Sequence, residues 1–595
     1  MLGLLVAGLA LARWGTPAPG PAATAPPPET YAPRREVLRP HRGQILDRHD
    51  SLLATTSLRY LLLFQARQRL DSARFNRLLG WPAGALQARM ADLRRRELPA
   101  QLPLTGPEAD TLRRHRREWP FLTVRQYPAR ANPRPVAAPV LGYAYDDAQP
   151  FLYQARRLAR GRFYRLRNGG VESYYNALLA GRRGAYHPRV DALGQRHGAW
   201  APDTAYQPGQ DLHLSLDAGL QAYAEHLLGE RRGYLVALEP ATGEILCYVS
   251  APTYDPAALT APTRGRERSA LLLSPDLPLL NRPALLANPP GSVFKVVNAA
   301  VALQLGALTA ATGFRCDQSL IRCVHEHPNA RNLTQALKYS CNPYFYRVLQ
   351  TVVEQVPDSL VQPVDTCAVR HRNLAAWTRH VKSFGLDTLL GVDLPQERPG
   401  FIPTPAYYDR RHGRCGWAYR TVYSLSIGQG EINLTGLQTA NVLAIIANRG
   451  WYYPPHFVRA VGESGAPLPR FRQKHRTLVD SIHFAALVPG LVAALRGGGT
   501  AALASLADVG ITVAGKTGTV QNDEGDDHAT FAGFAPANQP KIVVAVYLEN
   551  AGFGGLSAAP CAALIMERYL RGKIAPRRKR WENWLRCGNL AEQGH

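Results

Sequence analysis

The stretch Asn288–Leu303, NPPGSVFKVVNAAVAL, constrains this chain more than any other. A Pro-Pro-Gly turn delivers Ser292 to the start of an apolar-periodic run that predicts a helix, with Lys295 three residues on. Positions i and i+3 share a helical face, so hydroxyl and amine are expected to meet within the first turn. Burial would strip the lysine of its charge, and a neutral amine can accept the serine proton. The helix N-terminus would add N–H groups aimed at a developing oxyanion. A capping serine followed by a solvated lysine is the plainer alternative for an SxxK taken alone.

Composition sharpens the choice. Of the 70 basic residues only eight are lysines: Lys295, Lys338, Lys382, Lys474, Lys516, Lys541, Lys573 and Lys579. The chain uses arginine almost wherever a plain positive charge serves, and lysine is the one of the two that can give up its proton. SxxK occurs once. Two further pieces follow in order: Ser340-Cys341-Asn342 within ALKYSCNPYFY, and Lys516-Thr517-Gly518-Thr519 within the strand-like ITVAGKTGTV. SxxK, an S-x-N element and KTG together make up the set found in penicillin-binding proteins and β-lactamases.

A length of 595 residues accommodates two or three domains. The net charge of +25 suits an anionic partner. No zinc-finger, RNP or helix-turn-helix signature accompanies it, so nucleic acid is set aside. A membrane surface or an anionic cell-wall precursor fits as well, and an arginine-rich genome composition accounts for much of the excess. The apolar run Leu2–Ala12 is eleven residues, about half a bilayer core, and reads as the exit half of a truncated membrane anchor. Residues 1–14 are therefore taken as a partial anchor and 15–30 as a Pro/Ala linker.

Eight cysteines in such a chain are too sparse for a disulfide scaffold. Cys316, Cys323 and Cys341 nevertheless gather near the second motif with His325 and His327, more than the four ligands a tetrahedral zinc requires. A Cys316–Cys323 disulfide competes with that reading, and spacing does not separate them. Cys247, Cys367, Cys415, Cys561 and Cys587 are scattered and read as mostly buried apolar thiols. The acidic run Asn522–Asp527 fails the EF-hand pattern and reads as a solvated turn.

Taken in order, Asp47–Asp50 reads as a turn between extended pieces, and the arginine-heavy stretches near 70–118 as solvated helix faces. A boundary falls near Gln207–Gln210. Beyond it, Asp217 is placed to cap a helix over Ala218–Leu228, and Gly233–Glu239 with Glu244–Ser250 to form an antiparallel hairpin. Helices are expected from past Ser340 to about Val356, over Leu437–Asn448, and over Ala558–Leu570, the last lying across a sheet built on the KTG strand and Lys541–Leu548. The basic tail 573–595, with two tryptophans, reads as an interfacial or disordered appendage.

From Arg42 to Leu570 the chain resembles the class B penicillin-binding proteins, the elongation type in particular. The resemblance rests on RGQILDR, VESYYNALLAG, LSLDAGLQ, PPGSVFK, SCN, KTGT and GQGEINLTGLQTANVLAIIANRG. It implies a multidomain α+β chain: a pedestal of the dimerisation type over 31–205, then a transpeptidase domain over 206–572 with an antiparallel sheet flanked by helices. It implies Ser292 as the nucleophile toward the penultimate D-alanine of a stem peptide and Lys295 as its base. Ser340 and Asn342 would relay protons and position the peptide. Lys516 would polarise the site, with Thr517 and Thr519 holding the terminal carboxylate, and Ser292 and Thr519 N–H groups forming the oxyanion hole. Gly518 belongs to the same substrate-binding strand. Cys341 departs from the aspartate frequent at that position. No cofactor is implied for catalysis, and a structural zinc occurs in some members.

The resemblance further implies a single N-terminal anchor in the cytoplasmic membrane and a catalytic domain beyond it. Expected partners are stem peptides, the lipid-linked precursor, a glycosyltransferase of the elongation complex, and β-lactams. A β-lactamase or β-lactam sensor shares the triplet but disposes of the acyl group differently. A D,D-carboxypeptidase side activity needs only that water replace the amine, and a mainly scaffolding role would leave the triplet free to decay.

Overall fold

The computed structural model describes residues 36–38, 40–64, 70–95, 101–119, 122–143, 169–186, 204–260, 265–356, 365–462, 465 and 467–586. The anchor and linker readings, and Cys587, lie outside these residues. No helix among the described residues is long and apolar enough to cross a membrane. The chain forms two compact units, Met1–Pro40 with Arg182–Gln207, and His41–Gly181 with Pro208–His595. In the first, the short strands Glu36–Leu38 and Gly184–Tyr186 pair antiparallel.

The second unit opens with the turn expected at Asp47, whose carboxylate accepts from the N–H groups of His49 and Ser51. Its other oxygen accepts from Ala218 N–H (3.1 Å), so the RGQILDR and LSLDAGLQ stretches are joined through one side chain. The 13-residue strand Leu52–Phe64 runs antiparallel to Leu122–Ala131 and continues through Ile45–Leu46 into Leu212–Leu214 and Val458–Val461. Glu172, from VESYYN, is buried and accepts from both Arg42 and Arg130; Arg130 is buried as well. A buried carboxylate of this kind persists only when paired, so these motif residues hold the module together.

Asp217 caps helix α1 (Ala218–Leu228), its side chain accepting from Leu220 N–H at 2.8 Å. Strands β1 (Gly233–Leu238) and β2 (Ile245–Ala251) form the expected antiparallel hairpin. Helix α2 (Lys295–Gln304) follows the tight 3-10 turn Gly291–Phe294. Helices α3 (Leu333–Tyr339) and α4 (Asn342–Glu354) flank the second motif, and α5 (Gly436–Ala447) opens with a capping box from Thr435 and Gln438. The KTG residues lie in β3 (Ala514–Val520), followed by β4 (His528–Ala535) and β5 (Ile542–Leu548). The sheet order is β3-β4-β5-β1-β2, antiparallel throughout.

Helix α6 (Ala558–Arg571) and α1 cover one face of this sheet, and α5 the other. Both faces are therefore apolar, and every residue of β5, IVVAVYL, is buried. Alternate residues enter two different cores: Val543 and Ala545 pack with α2 and α5, Val544 and Val546 with α1 and α6.

Two readings are corrected. The tail is no appendage as far as Arg586: helix α7 (Lys579–Arg586) packs on α1, Leu585 is buried, and Tyr223 O–H donates to Glu582 (2.6 Å). Arg578 is fully buried with its guanidinium forked onto Asp508. Basic residues misled because one arginine here is a buried ion-pair partner while its neighbours are solvated. Cys367 and Cys415, read as isolated apolar thiols, form a disulfide that ties the start of helix Thr366–Lys382 to a loop 48 residues on.

Candidate active site

Each piece of the cleft is placed by local sequence. Gly291 takes φ +56°, and a Cβ there would lie 3.1 Å from Thr519 O, so glycine lets the turn sit against the KTG strand. Gly518 is the reciprocal case, its hypothetical Cβ falling 3.3 Å from Ser292 N. The backbone N–H of Ser292 and the strand carrying Thr519 are thus in van der Waals contact because neither glycine has a side chain. Ser340 ends α3 in the left-handed conformation (φ +57°), an unfavourable one for a non-glycine residue, and Cys341 then opens α4.

Lys295 is fully buried. Its Nζ donates to Ser340 O (2.7 Å), Ser340 Oγ (3.1 Å) and Asn342 Oδ1 (2.5 Å). The expected meeting of the Ser292 hydroxyl with the Lys295 amine is not among the hydrogen bonds of the described residues: the amine bonds to the second motif, while Ser292 lines the cleft with Ser340 and Asn342. Desolvation pushes the Lys295 ammonium down to about 7, opposed by the nearby Cys323 and Cys341. Lys516 is buried too, donating to Thr517 O (3.0 Å), and burial together with the positive charge of Lys295 holds it well below the ordinary lysine range.

The cleft, about 600 Å³, is lined by Ser292, Ser340, Asn342, Thr517, Gly518 and Thr519, with His325 and Gln429 beside them. Val324, Leu503, Phe553 and Leu556 form an exposed apolar wall around it. No carboxylate lies among the described residues that line it. Two participants went unnoticed in the sequence. Thr500 accepts a hydrogen bond from Thr517 Oγ1 (2.8 Å), and the only signal for it was the glycine run Gly497–Gly499 just before. Asn298, one turn into α2, donates to Leu425 O and Ser426 O and accepts from Trp377 Nε1, which ties the catalytic helix to the loop preceding Gln429.

The Cys/His cluster is four residues. Sulfur and nitrogen ligand atoms of Cys316, Cys323, His327 and Cys341 lie within 4.8 Å of one another. His327 Nδ1 hydrogen-bonds to Pro328 O (2.8 Å), which keeps the proton there and turns the Nε2 lone pair toward Cys323 Sγ (3.2 Å). His325 is outside the group and lines the cleft. Cys316 and Cys323 are free thiols with sulfurs 3.7 Å apart, so the competing disulfide is not formed. Hydrogen bonding from Cys341, with the Asn342 N–H, holds the Cys323 thiol well below its ordinary range against the opposing effect of burial. A separation of 3.2–3.8 Å matches the edge of a tetrahedron with zinc–ligand bonds of about 2.0–2.3 Å. The donor set therefore fits zinc.

The penicillin binding protein transpeptidase domain family matches residues 233–567, more than half the chain, and the penicillin-binding protein dimerisation domain family matches 37–214. The chain belongs to the penicillin-binding protein transpeptidase family. It is 31% identical over 435 residues to peptidoglycan D,D-transpeptidase MrdA of Acinetobacter baumannii, covering 67% of this chain and 60% of that one. MrdA of Haemophilus influenzae is 27% identical over 585 residues, covering 90% and 85%. The chain thus spans about 60% of the length of the first of these relatives. Among solved structures, a chain described under structural coordination of polymerization and crosslinking by a peptidoglycan synthase complex superposes with a TM-score of 0.71 at 26% identity, covering 92% of this chain and 94% of that one. A penicillin-binding protein 2 solved in complex with MreC from Helicobacter pylori shares the fold, with a TM-score of 0.69, 23% identity, and coverage of 91% and 100%. The α+β expectation, a dimerisation-type module before a transpeptidase fold, is met.

Proposed function

We propose that this penicillin-binding protein is a peptidoglycan D,D-transpeptidase of cell elongation, anchored in the cytoplasmic membrane with its catalytic domain beyond it. One observation carries the reading: fully buried Lys295, its ammonium pushed down to about 7 by desolvation, bonds to Ser340 and Asn342, which line one cleft with Ser292 and the KTG strand. Neutral Lys295 takes the proton of Ser292 as Oγ attacks the carbonyl between two D-alanines. The N–H groups of Ser292 and Thr519 receive the oxyanion. Ser340, hydrogen-bonded to the Lys295 amine, passes the proton to the departing nitrogen. The C–N bond breaks, D-alanine leaves, and an ester remains on Ser292. Thr517 and Thr519 hold the terminal carboxylate, and that anion restores the charge on Lys516 that burial had disfavoured. An amine of a second stem peptide then attacks the ester and returns the proton to Ser292 Oγ, leaving the crosslink.

The carboxylate-free cleft supports synthase over β-lactamase, because rapid deacylation in class A β-lactamases needs a glutamate to activate water. The similar chain from a peptidoglycan synthase complex that coordinates polymerization and crosslinking supports a glycosyltransferase as partner, and the proposal adds its lipid-linked precursor and β-lactams as inhibitors. The proposal includes a structural zinc held by Cys316, Cys323, His327 and Cys341, which when bound would tie the preceding loop to the Ser340 motif.

The test is intact mass of the full-length chain after exposure to a penicillin. A single stable adduct, lost in Ser292→Ala, is expected; rapid hydrolysis of the drug without an adduct would overturn the synthase reading in favour of a β-lactamase.

A further inference from the structure

A second cavity, about 810 Å³ and larger than the cleft, opens at the end of the sheet where β4 begins and β5 ends. Its floor is fixed. Arg282, fully buried, donates to Leu277 O, Asp276 O and Glu549, and the other Glu549 oxygen pairs with Arg232 at 2.9 Å. The second carboxylate on the wall, Glu397, is occupied by the N–H groups of Leu390, Gly391 and Val392. Both acids are therefore satisfied within the protein. Arg398 is not: it lines the cavity, is exposed, and among the described residues its guanidinium has no hydrogen bond or ion pair. His528, on the same wall, accepts from Asn550 N–H at Nδ1 (3.1 Å), which leaves its proton on Nε2 as a second donor. An open cavity with satisfied acids and unused donors suits an anionic group on a partly apolar ligand.

The cavity borders the cleft along the chain. Asn288 lies on its wall four residues before Ser292, and His528 pairs with Val520, the neighbour of Thr519. Four extended residues span at most about 14 Å, the reach of a peptide whose side-chain amine enters the cleft while its C-terminus stays outside.

We infer that this cavity binds the acceptor strand, with Arg398 and His528 receiving the carboxylate end of the stem peptide whose amine resolves the acyl-enzyme. The inference rests on the transpeptidase reading and assigns Arg398 a positioning role in the second half-reaction alone.

The test uses the full-length chain, a soluble D-alanyl thioester as donor, and a diamino-acid peptide as acceptor, either with a free C-terminal carboxylate or amidated. Aminolysis relative to hydrolysis is followed against acceptor concentration, with penicillin acylation measured alongside. Arg398→Ala should raise the half-saturating concentration of the free-acid acceptor roughly fivefold, the scale of one partly exposed charged hydrogen bond. It should abolish the preference for free acid over amide and leave penicillin acylation unchanged, while Arg398→Lys retains part of the preference. A wild type indifferent to amidation, or a preference that survives in Arg398→Ala, overturns the inference and leaves the transpeptidase reading standing. Acylation falling in step with aminolysis also overturns it, since Arg398 would then act through the cleft. Absence of penicillin acylation in the wild type overturns both.

Discussion

A buried amine without a carboxylate partner is the most informative residue in this molecule. Lys295 has only neutral acceptors, Ser340 O, Ser340 Oγ and Asn342 Oδ1, and the nearby Cys323 and Cys341 sulfurs push its pKa up. Desolvation dominates, and the depressed value of about 7 sets the sign of the pH dependence. Below about 7 the amine is charged and cannot accept the Ser292 proton; above it the base is free. The rate constant for penicillin acylation should therefore climb about tenfold per pH unit up to neutrality and then level off. A profile flat from pH 5 to 9 would show that Lys295 is not the titrating base. The special status of this lysine was legible in the sequence, because so few lysines survive in an arginine-rich chain. Thr500 was not legible: its role exists only because a glycine-rich loop brings it to Thr517.

At the scale of elements, the second motif is a junction between two short helices whose geometry is set from outside. Asn342 N–H donates to Cys323 Sγ (3.3 Å), and Asn342 Nδ2 donates to Arg322 O (2.7 Å), which turns Oδ1 toward Lys295. The loop carrying the Cys/His cluster thus orients a residue of the cleft. One equivalent of zinc should copurify with the full-length chain. Cys323→Ser should bring the metal below stoichiometric level and slow acylation by about ten- to a hundredfold, the scale on which disturbing the support of a metal site lowers affinity or activity. A metal-free wild type that acylates normally sinks the zinc proposal. The sequence exposed this cluster by proximity, yet offered five ligands for four places. Only the fold removes His325, by sending it to the cleft wall. Cys367 and Cys415 show the opposite limit, since a pair 48 residues apart leaves no spacing pattern to read.

Across the whole molecule, a domain boundary drawn near residue 206 cuts through a sheet. Leu212–Leu214 pairs with Ile45–Leu46, Asp47 satisfies the first N–H of α1, and Glu225 on that helix accepts from Ala137 N–H at 2.8 Å. A fragment 206–595 would expose that strand edge and leave Glu225 buried without one of its partners. It should therefore aggregate and acylate poorly beside a 41–595 fragment, as size-exclusion chromatography and penicillin labelling would reveal. Equal solubility and labelling of the two would show that the N-terminal module is dispensable to the fold.

What the sequence determined by itself is the chemistry and the element types: three motifs in order, the cap at Asp217, the hairpin after it, and the strand–helix succession that ends in α6. These are legible because each depends on residues close in the chain. The tertiary structure alone decided which face of each wholly apolar strand meets which core, because β5 carries no alternation to distinguish its sides. It also decided which arginine of the tail is buried and which cysteines pair. Those outcomes depend on desolvation and on partners tens to hundreds of residues away, and neither is written in local pattern.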